Sequence, residues 1–199
     1  MSPRTEEQNA LLKDERREHI LSAALRVFAM RGFAATKIKD IAAKGNISHG
    51  LVYHYFQSKE DIFFELVSRA LHVAGESLMY VDAMPLSPLE KVRETARFIL
   101  GSIEQGQESS CYFMIVLHAS VMEISEEEKN RVFKGGDVPA LTLSKILAEG
   151  QKQGEIKEGD VYGMTSVFFA AITGLAVNKL GFPGMKMPDP EILVQMVMK

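Results

Sequence analysis

The chain has 199 residues, 46% hydrophobic and 25% charged, the balance of an ordinary globular protein with core enough for two small domains. Its net charge of −3 is unevenly divided: residues 1–60 carry 10 Lys/Arg against 7 Asp/Glu and residues 61–199 carry 13 against 19, so only the N-terminal end suits a polyanion. One cysteine, Cys111, excludes an internal disulfide and fits a reducing cytoplasm; residues 1–19 are too charged for a signal peptide, and no run of about 18 unbroken apolar residues is present to cross a membrane.

In chain order, residues 4–9 read as a loose arm. Residues 12–31 repeat Ile20, Ala24, Val27 and Phe28 at helical spacing and stop at Gly32, a good helix terminator. Two short helical patterns follow at 38–44 and 49–55, joined by Gly45-Asn46-Ile47, and Asn46 tolerates the left-handed conformation such a reversal needs. Ser58, with Asp61 three residues on, opens a helix to about residue 80 that carries Ile62, Leu66, Ala70, Val73 and Leu78 on or near one face. A Pro-containing loop at 82–88 leads to helices at 89–105, 110–124 and 139–153, the last preceded by Gly135-Gly136-Asp137-Val138-Pro139. Residues 160–180 form a longer helix, apolar almost all round from Val167 to Val177, and 181–190 form a loop. Residues 191–199 restart a helical pattern and stop without a cap, which predicts that the chain continues past Lys199. No period-2 alternation points to a sheet, and no repeat is present.

The pair at 38–55 carries the functional signal. Ile38, Ile41, Ala42, Ile47, Val52 and Phe56 can share one small core, which turns Ser48, His49, Gly50, Tyr53 and His54 outward. That is the layout of a helix-turn-helix, whose second helix offers its N-terminal side chains to a major groove. Thr36 and Ser58 look like N-caps, yet Lys37, Lys39 and Lys59 crowd the first turns behind them, where the helix dipole favours anions. Lysines belong there if phosphate is the anion intended to sit at those helix ends.

Arg17-Glu18-His19-Ile20-Leu21-Ser22-Ala23-Ala24, Phe28, Gly32-Phe33, Thr36, Ile41-Ala42, the run from Ser48 to Phe56, and Ser58-Lys59-Glu60 together closely resemble the N-terminal domain of the TetR family of bacterial regulators. The match is dense over residues 16–66; beyond it, only length and helical organisation are similar. Two departures stand out: Gly45-Asn46 replaces the family's usual Ala-Gly at the turn, and Leu51 occupies a position more often small or hydroxylated. The resemblance implies an all-α chain with a three-helix helix-turn-helix DNA-binding domain at 1–57. A connector helix with a helical ligand-binding and dimerisation domain follows at 58–199. It implies a ligand-sensing homodimer that occupies double-stranded operator DNA and is released by a small molecule that the resemblance does not identify; the apolar, charge-poor lining of its candidate pocket points to a hydrophobic one, and the single cysteine to the cytoplasm. A family member acting as an activator, or a metabolite-binding dimer working through a protein partner, are the alternatives.

The expected DNA contacts are Thr36, Lys37, Ser48, Tyr53 and Lys59 to phosphate, and His49, Gly50, Leu51 and His54 to bases. The ligand pocket is expected between the connector and the helices at 89–105, 110–124 and 160–180. Its candidate lining is Phe98, Phe113, Met114, Leu117, His118, Met122, Phe168 and Phe169, with Tyr112 and Asn178 as polar additions. Nine of the eleven methionines and eight of the eleven phenylalanines follow residue 60, the makings of a shape-tolerant apolar interior. The dimer surface is placed on Ala170 and Gly174, four apart on one helical face, with Ile192, Leu193, Met196 and Val197 completing a two-fold bundle.

Neither catalytic residues, a metal nor a cofactor is expected. Gly45-x-x-Ser48-x-Gly50 has one residue too many for a hydrolase elbow and no strand before it. His49 and His54 are five apart, off the spacing that pairs two metal ligands on one helix face. Cys111 has no obvious base beside it and reads as packing.

Overall fold

The computed structural model describes the chain from Glu6 to Lys199, and its side-chain surroundings from Leu11 onward. Among these residues the elements are α1 (Glu6–Ala35), α2 (Ile38–Gly45), α3 (His49–Tyr55), α4 (Lys59–Asp82), α5 (Pro88–Gln105), α6 (Gln107–Ser120), α7 (Glu126–Val132), α8 (Val138–Gln153), α9 (Val161–Gly181) and α10 (Glu191–Gln195). The fold is all-α: the only pairing of extended backbone among the described residues is a single antiparallel bridge between Ile156 and Met198.

The expected loose arm is helical from Glu6; residues 4 and 5 lie outside the described part. Gly32 breaks α1, with φ 75° and ψ 164°, so the regular helix ends where the glycine predicts and a further turn follows before α2. The helix expected at 110–124 runs over Gln107–Ser120, and an unexpected helix, α7, opens after Ser125, whose hydroxyl accepts the Glu128 N–H at 3.2 Å while the Glu128 carboxylate accepts the Ser125 N–H at 3.1 Å. At the C-terminus helix persists only to Gln195. Beyond it the Lys157 N–H donates to the Val197 carbonyl at 3.0 Å, and the chain folds back along residues 155–157.

Packing divides the chain into a unit ending at Leu66 and one beginning at Val67. The expected boundary ahead of residue 58 therefore moves into α4, because the first two turns of that helix belong to the head. Phe63 sets its ring 5.0 Å from both Phe28 and Phe33, and Ile62, Phe63 and Leu66 are fully buried with Ile20, Ala24, Phe28, Ile41 and Val52. An Arg17–Glu65 ion pair and the Arg17 guanidinium 4.9 Å from the Phe56 ring centre also fasten the start of α4 to this core.

The second unit packs α5, α8 and α9 round Val92, Ala96, Leu100, Leu143, Ile146, Phe168 and Ile172, with Leu193 and Val197 completing its core. Helix α9 is long and apolar enough, by length and composition, to cross a bilayer. Its Thr165, Phe168, Ile172 and Ala176 face is buried, and it packs against α6 and α8. Asp82, at the end of α4, accepts from Lys145 at 2.9 Å and pairs with Lys91 at 3.3 Å. The hydrogen bond from Lys145, then that from Lys91, hold its carboxyl below the ordinary value. A depressed carboxyl stabilises the fold above the unfolded value of about 3.9 and loses that contribution as pH falls through the folded value. Asp82→Asn should therefore lower this unit's unfolding temperature at neutral pH, with the deficit vanishing in acid; a deficit unchanged across that range would refute the pairing.

Candidate nucleic-acid interface and ligand cavity

The interface is set by the turn between α2 and α3. Asn46 takes φ 51° and ψ 44°, the sole non-glycine residue with positive φ among those described. That conformation lets the Ile47 N–H reach back to the Ala42 carbonyl at 3.0 Å and close α2. Gly45 allows the close approach of α1: a Cβ there would lie 3.3 Å from that of Ala23, and the Gly45 carbonyl meets His19 Nε2 at 2.7 Å. Ser48 then caps α3, its hydroxyl accepting the Leu51 N–H at 3.1 Å. With Val52 and Phe56 buried, Ser48, His49, Gly50, Tyr53 and His54 are exposed and Leu51 is half-buried. The rings of His49 and Tyr53 meet edge to face at 5.0 Å, and those of His54 and Tyr55 at 5.1 Å, so the aromatic groups on this surface brace one another.

Lys37, Lys39 and Lys44 are exposed. Two other expected contacts are differently placed. Thr36 is fully buried and donates its hydroxyl to the Gly32 carbonyl at 2.7 Å, so Lys37 rather than Thr36 is the N-cap residue and the Thr36 side chain has no route to phosphate. Asp40 completes that start, accepting the Lys37 N–H at 2.9 Å. This hydrogen bond, together with Arg31, keeps its carboxyl below the usual range. Lys59 is committed inside the head: its ammonium donates to the carbonyls of Phe33 at 3.0 Å and Thr36 at 3.1 Å and lies 4.3 Å from the Phe33 ring centre.

The second unit holds a cavity of about 420 Å³. One wall is α4, through Leu71, Val73, Ala74, Ser77, Leu78 and Val81. Facing it are Thr95, Phe98, Ile99 and Ser102 of α5, Ser109, Tyr112, Phe113 and Val116 of α6, Pro139 and Ala140 of α8, and Phe169 and Thr173 of α9. Phe98 is 61% exposed and, with Val73, marks where the cavity meets solvent. Phe98, Tyr112, Phe113 and Phe169 thus come together as expected lining.

Six expected lining residues do not join them. Phe168 is 1% exposed and points into the helical core, one residue and a third of a turn from Phe169. On α6 the lining face is Ser109, Tyr112, Phe113 and Val116; Met114, Leu117 and His118 lie off it, and Met122 falls beyond the end of the helix. His118 Nδ1 has no hydrogen-bond partner among the described residues. Asn178 is exposed on α9. The α4 wall is the connector that the sequence pointed to, although Val73 and Leu78, on the face noted over 58–80, were not named as lining; the α8 residues were not expected.

On the expected dimer surface, Ala170, Gly174 and Ile192 are exposed and Met196 is half-buried. Leu193 and Val197, at 3% and 2% exposure, are spent on the unit's own core and cannot serve a partner. Among the described residues no group of three or more His, Cys, Asp or Glu could hold a metal ion.

A cap, a left-handed Asn, a second helix with its N-terminal side chains bare and exposed lysines on the helix before it define a helix-turn-helix protein. The family described as bacterial regulatory proteins, tetR family, matches residues 20–66. The HTH-type transcriptional regulator AcrR of Shigella flexneri is 31% identical over 105 residues, which cover 52% of this chain and 49% of that relative. The chain therefore spans about half the length of AcrR. YfiR of Bacillus subtilis, an HTH-type transcriptional regulator that is itself uncharacterised, is 28% identical over 192 residues, covering 92% of this chain and 87% of YfiR. In fold, the chain is similar to the TetR family transcriptional regulator PfmR of Thermus thermophilus, with a TM-score of 0.70 at 24% identity over 88% of this chain and 93% of that one. The head is thus matched by the tetR family of bacterial regulatory proteins over residues 20–66, and the fold of the chain is similar to that of a TetR family transcriptional regulator.

Proposed function

We propose that the protein is a homodimeric transcriptional repressor that occupies an operator through paired α3 helices and leaves it when a small hydrophobic molecule fills the cavity. The observation that carries this reading is the bare face of α3, with Ser48, His49, Gly50, Tyr53 and His54 all exposed beside Lys37. Ser48, Tyr53 and Lys37 suit phosphate; His49, Gly50, Leu51 and His54 suit base edges, Leu51 through a thymine methyl or shape. Two such heads must meet major grooves about one turn apart, roughly 34–36 Å. The exposed strip of Val167, Ala170 and Gly174 on α9 supports the pairing of two copies.

The switch follows from α4, whose first turns are buried in the head while Leu71, Ala74, Leu78 and Val81 line the cavity. A ligand that prefers the mis-spaced state by a few kcal/mol is enough to empty the operator. Selection of bound sequences from random duplexes tests the first half: a palindrome with half-sites one turn apart is expected, and recovery of no preferred sequence would refute it. Phe113→Trp tests the second half. It should sterically block the inducer and so prevent release while leaving operator affinity unchanged.

Lys59 and Lys37 separate two ways of supporting DNA binding. Lys37→Ala should flatten the salt dependence by about one phosphate contact, with equal weakening on all sequences. Lys59→Met should lower affinity but leave the salt slope intact, because its ammonium is spent on the Phe33 and Thr36 carbonyls. Should Lys59→Met flatten the slope as Lys37→Ala does, Lys59 meets phosphate after all.

A further inference from the structure

We propose that the cavity selects planar aromatic molecules that carry a hydroxyl or carbonyl group and no net charge. This rests on the reading of the cavity as the effector site, and it names what that site prefers.

Rings come into the cavity from three helices: Phe98 on α5, Tyr112 and Phe113 on α6, and Phe169 on α9. Among the described residues neither Phe98 nor Phe113 is paired with another ring. Phe169 meets only the buried Phe168, edge to face at 5.9 Å and 89°, a contact that fixes its plane and leaves its faces for something else. Aromatic rings that line a space without stacking on each other favour an aromatic guest, which restores offset or edge-to-face contacts. Methionine is absent from the lining, although the chain has 11. The wall therefore lacks the flexible thioethers that let a promiscuous site reshape itself, and its stiff rings reward a flat outline.

The polar groups refine the class. Thr95 and Ser102 have spent their hydroxyls on the Lys91 and Ile99 carbonyls, each at 2.8 Å. Ser77, Ser109 and Thr173 make no hydrogen bond with any described side chain or carbonyl and face the cavity. A guest with no polar group would leave these hydroxyls unpaired once water is displaced, which costs affinity. Arg69 is the charged side chain in the lining, and it has a partner of its own within the protein. An ionised guest would find no uncommitted counter-charge there, so a neutral hydroxyl or carbonyl is the better match.

The test compares 2-naphthol with decahydro-2-naphthol, which shares its carbon skeleton and hydroxyl but has no aromatic electrons, by calorimetric titration of the full chain. The expected result is at least about tenfold tighter binding of 2-naphthol. Phe113→Leu and Phe169→Leu, which keep apolar bulk and remove a ring, should shrink that preference at least roughly threefold. Thr173→Val, nearly isosteric and safe for folding, should weaken 2-naphthol while leaving naphthalene unchanged. Equal binding of both naphthols by the unmodified protein overturns the aromatic preference and leaves a general apolar effector site standing. Failure of both compounds to bind up to their solubility overturns the effector-site reading and this proposal with it.

Discussion

Gly174→Leu should give a protein that is more stable as a folded chain and unable to dimerise. A side chain at position 174 would meet no atom of its own chain within 4 Å. The glycine therefore serves no packing need inside the subunit, and replacing it in mid-helix should stabilise α9 by a few tenths to about 1 kcal/mol. A partner backbone lying against Ala170 and Gly174 would be displaced by the added bulk. The expected readout is a sizing-column shift to monomer, an unchanged or raised melting temperature at limiting dilution, and loss of palindromic-operator binding with single half-site contact retained. A variant that eluted as a dimer would remove α9 from the interface.

Phe28→Ala should abolish DNA binding by melting the head alone. Phe28 is fully buried, with the rings of Phe63 at 5.0 Å and Phe33 at 6.1 Å, and it joins α1 to the start of α4. Deleting such a ring costs about 3–5 kcal/mol, a large share of the roughly 5–15 kcal/mol that holds a domain together. Amide exchange should show loss of protection up to Leu66 while α5, α8 and α9 stay protected. Uniform loss of protection along the whole chain would mean that the two units unfold as one.

The head was legible because its determinants are local. Asn46, Ser48 and the spacing of Ile38, Ile41, Val52 and Phe56 each act within a few residues of where they stand, and pattern and capping agree. Thr36 misled because a hydroxyl before a helix reads as a cap, whereas an equally local partner, the Gly32 carbonyl four residues back, had already claimed it. α7 was overlooked although Ser125 and Glu128 spell its capping box; the apolar Val121 and Met122 disguised the end of α6. In the second unit periodicity runs out. Helices α6 and α9 are apolar on most sides, so nothing in the order of residues says whether Phe168 or Phe169, Phe113 or Met114, turns toward empty space. Leu193 and Val197 were misassigned for the same reason: an apolar stripe near a terminus fits a partner or the chain's own core equally well, and only α5 settles it.

The cavity meets α4 along its length rather than at one point. Leu71, Ala74, Leu78 and Val81 fall on successive turns of that helix and span about 15 Å at a rise of 1.5 Å per residue. A compact guest would therefore touch only part of that wall, and a substituent directed along the helix would gain contacts without widening the cavity.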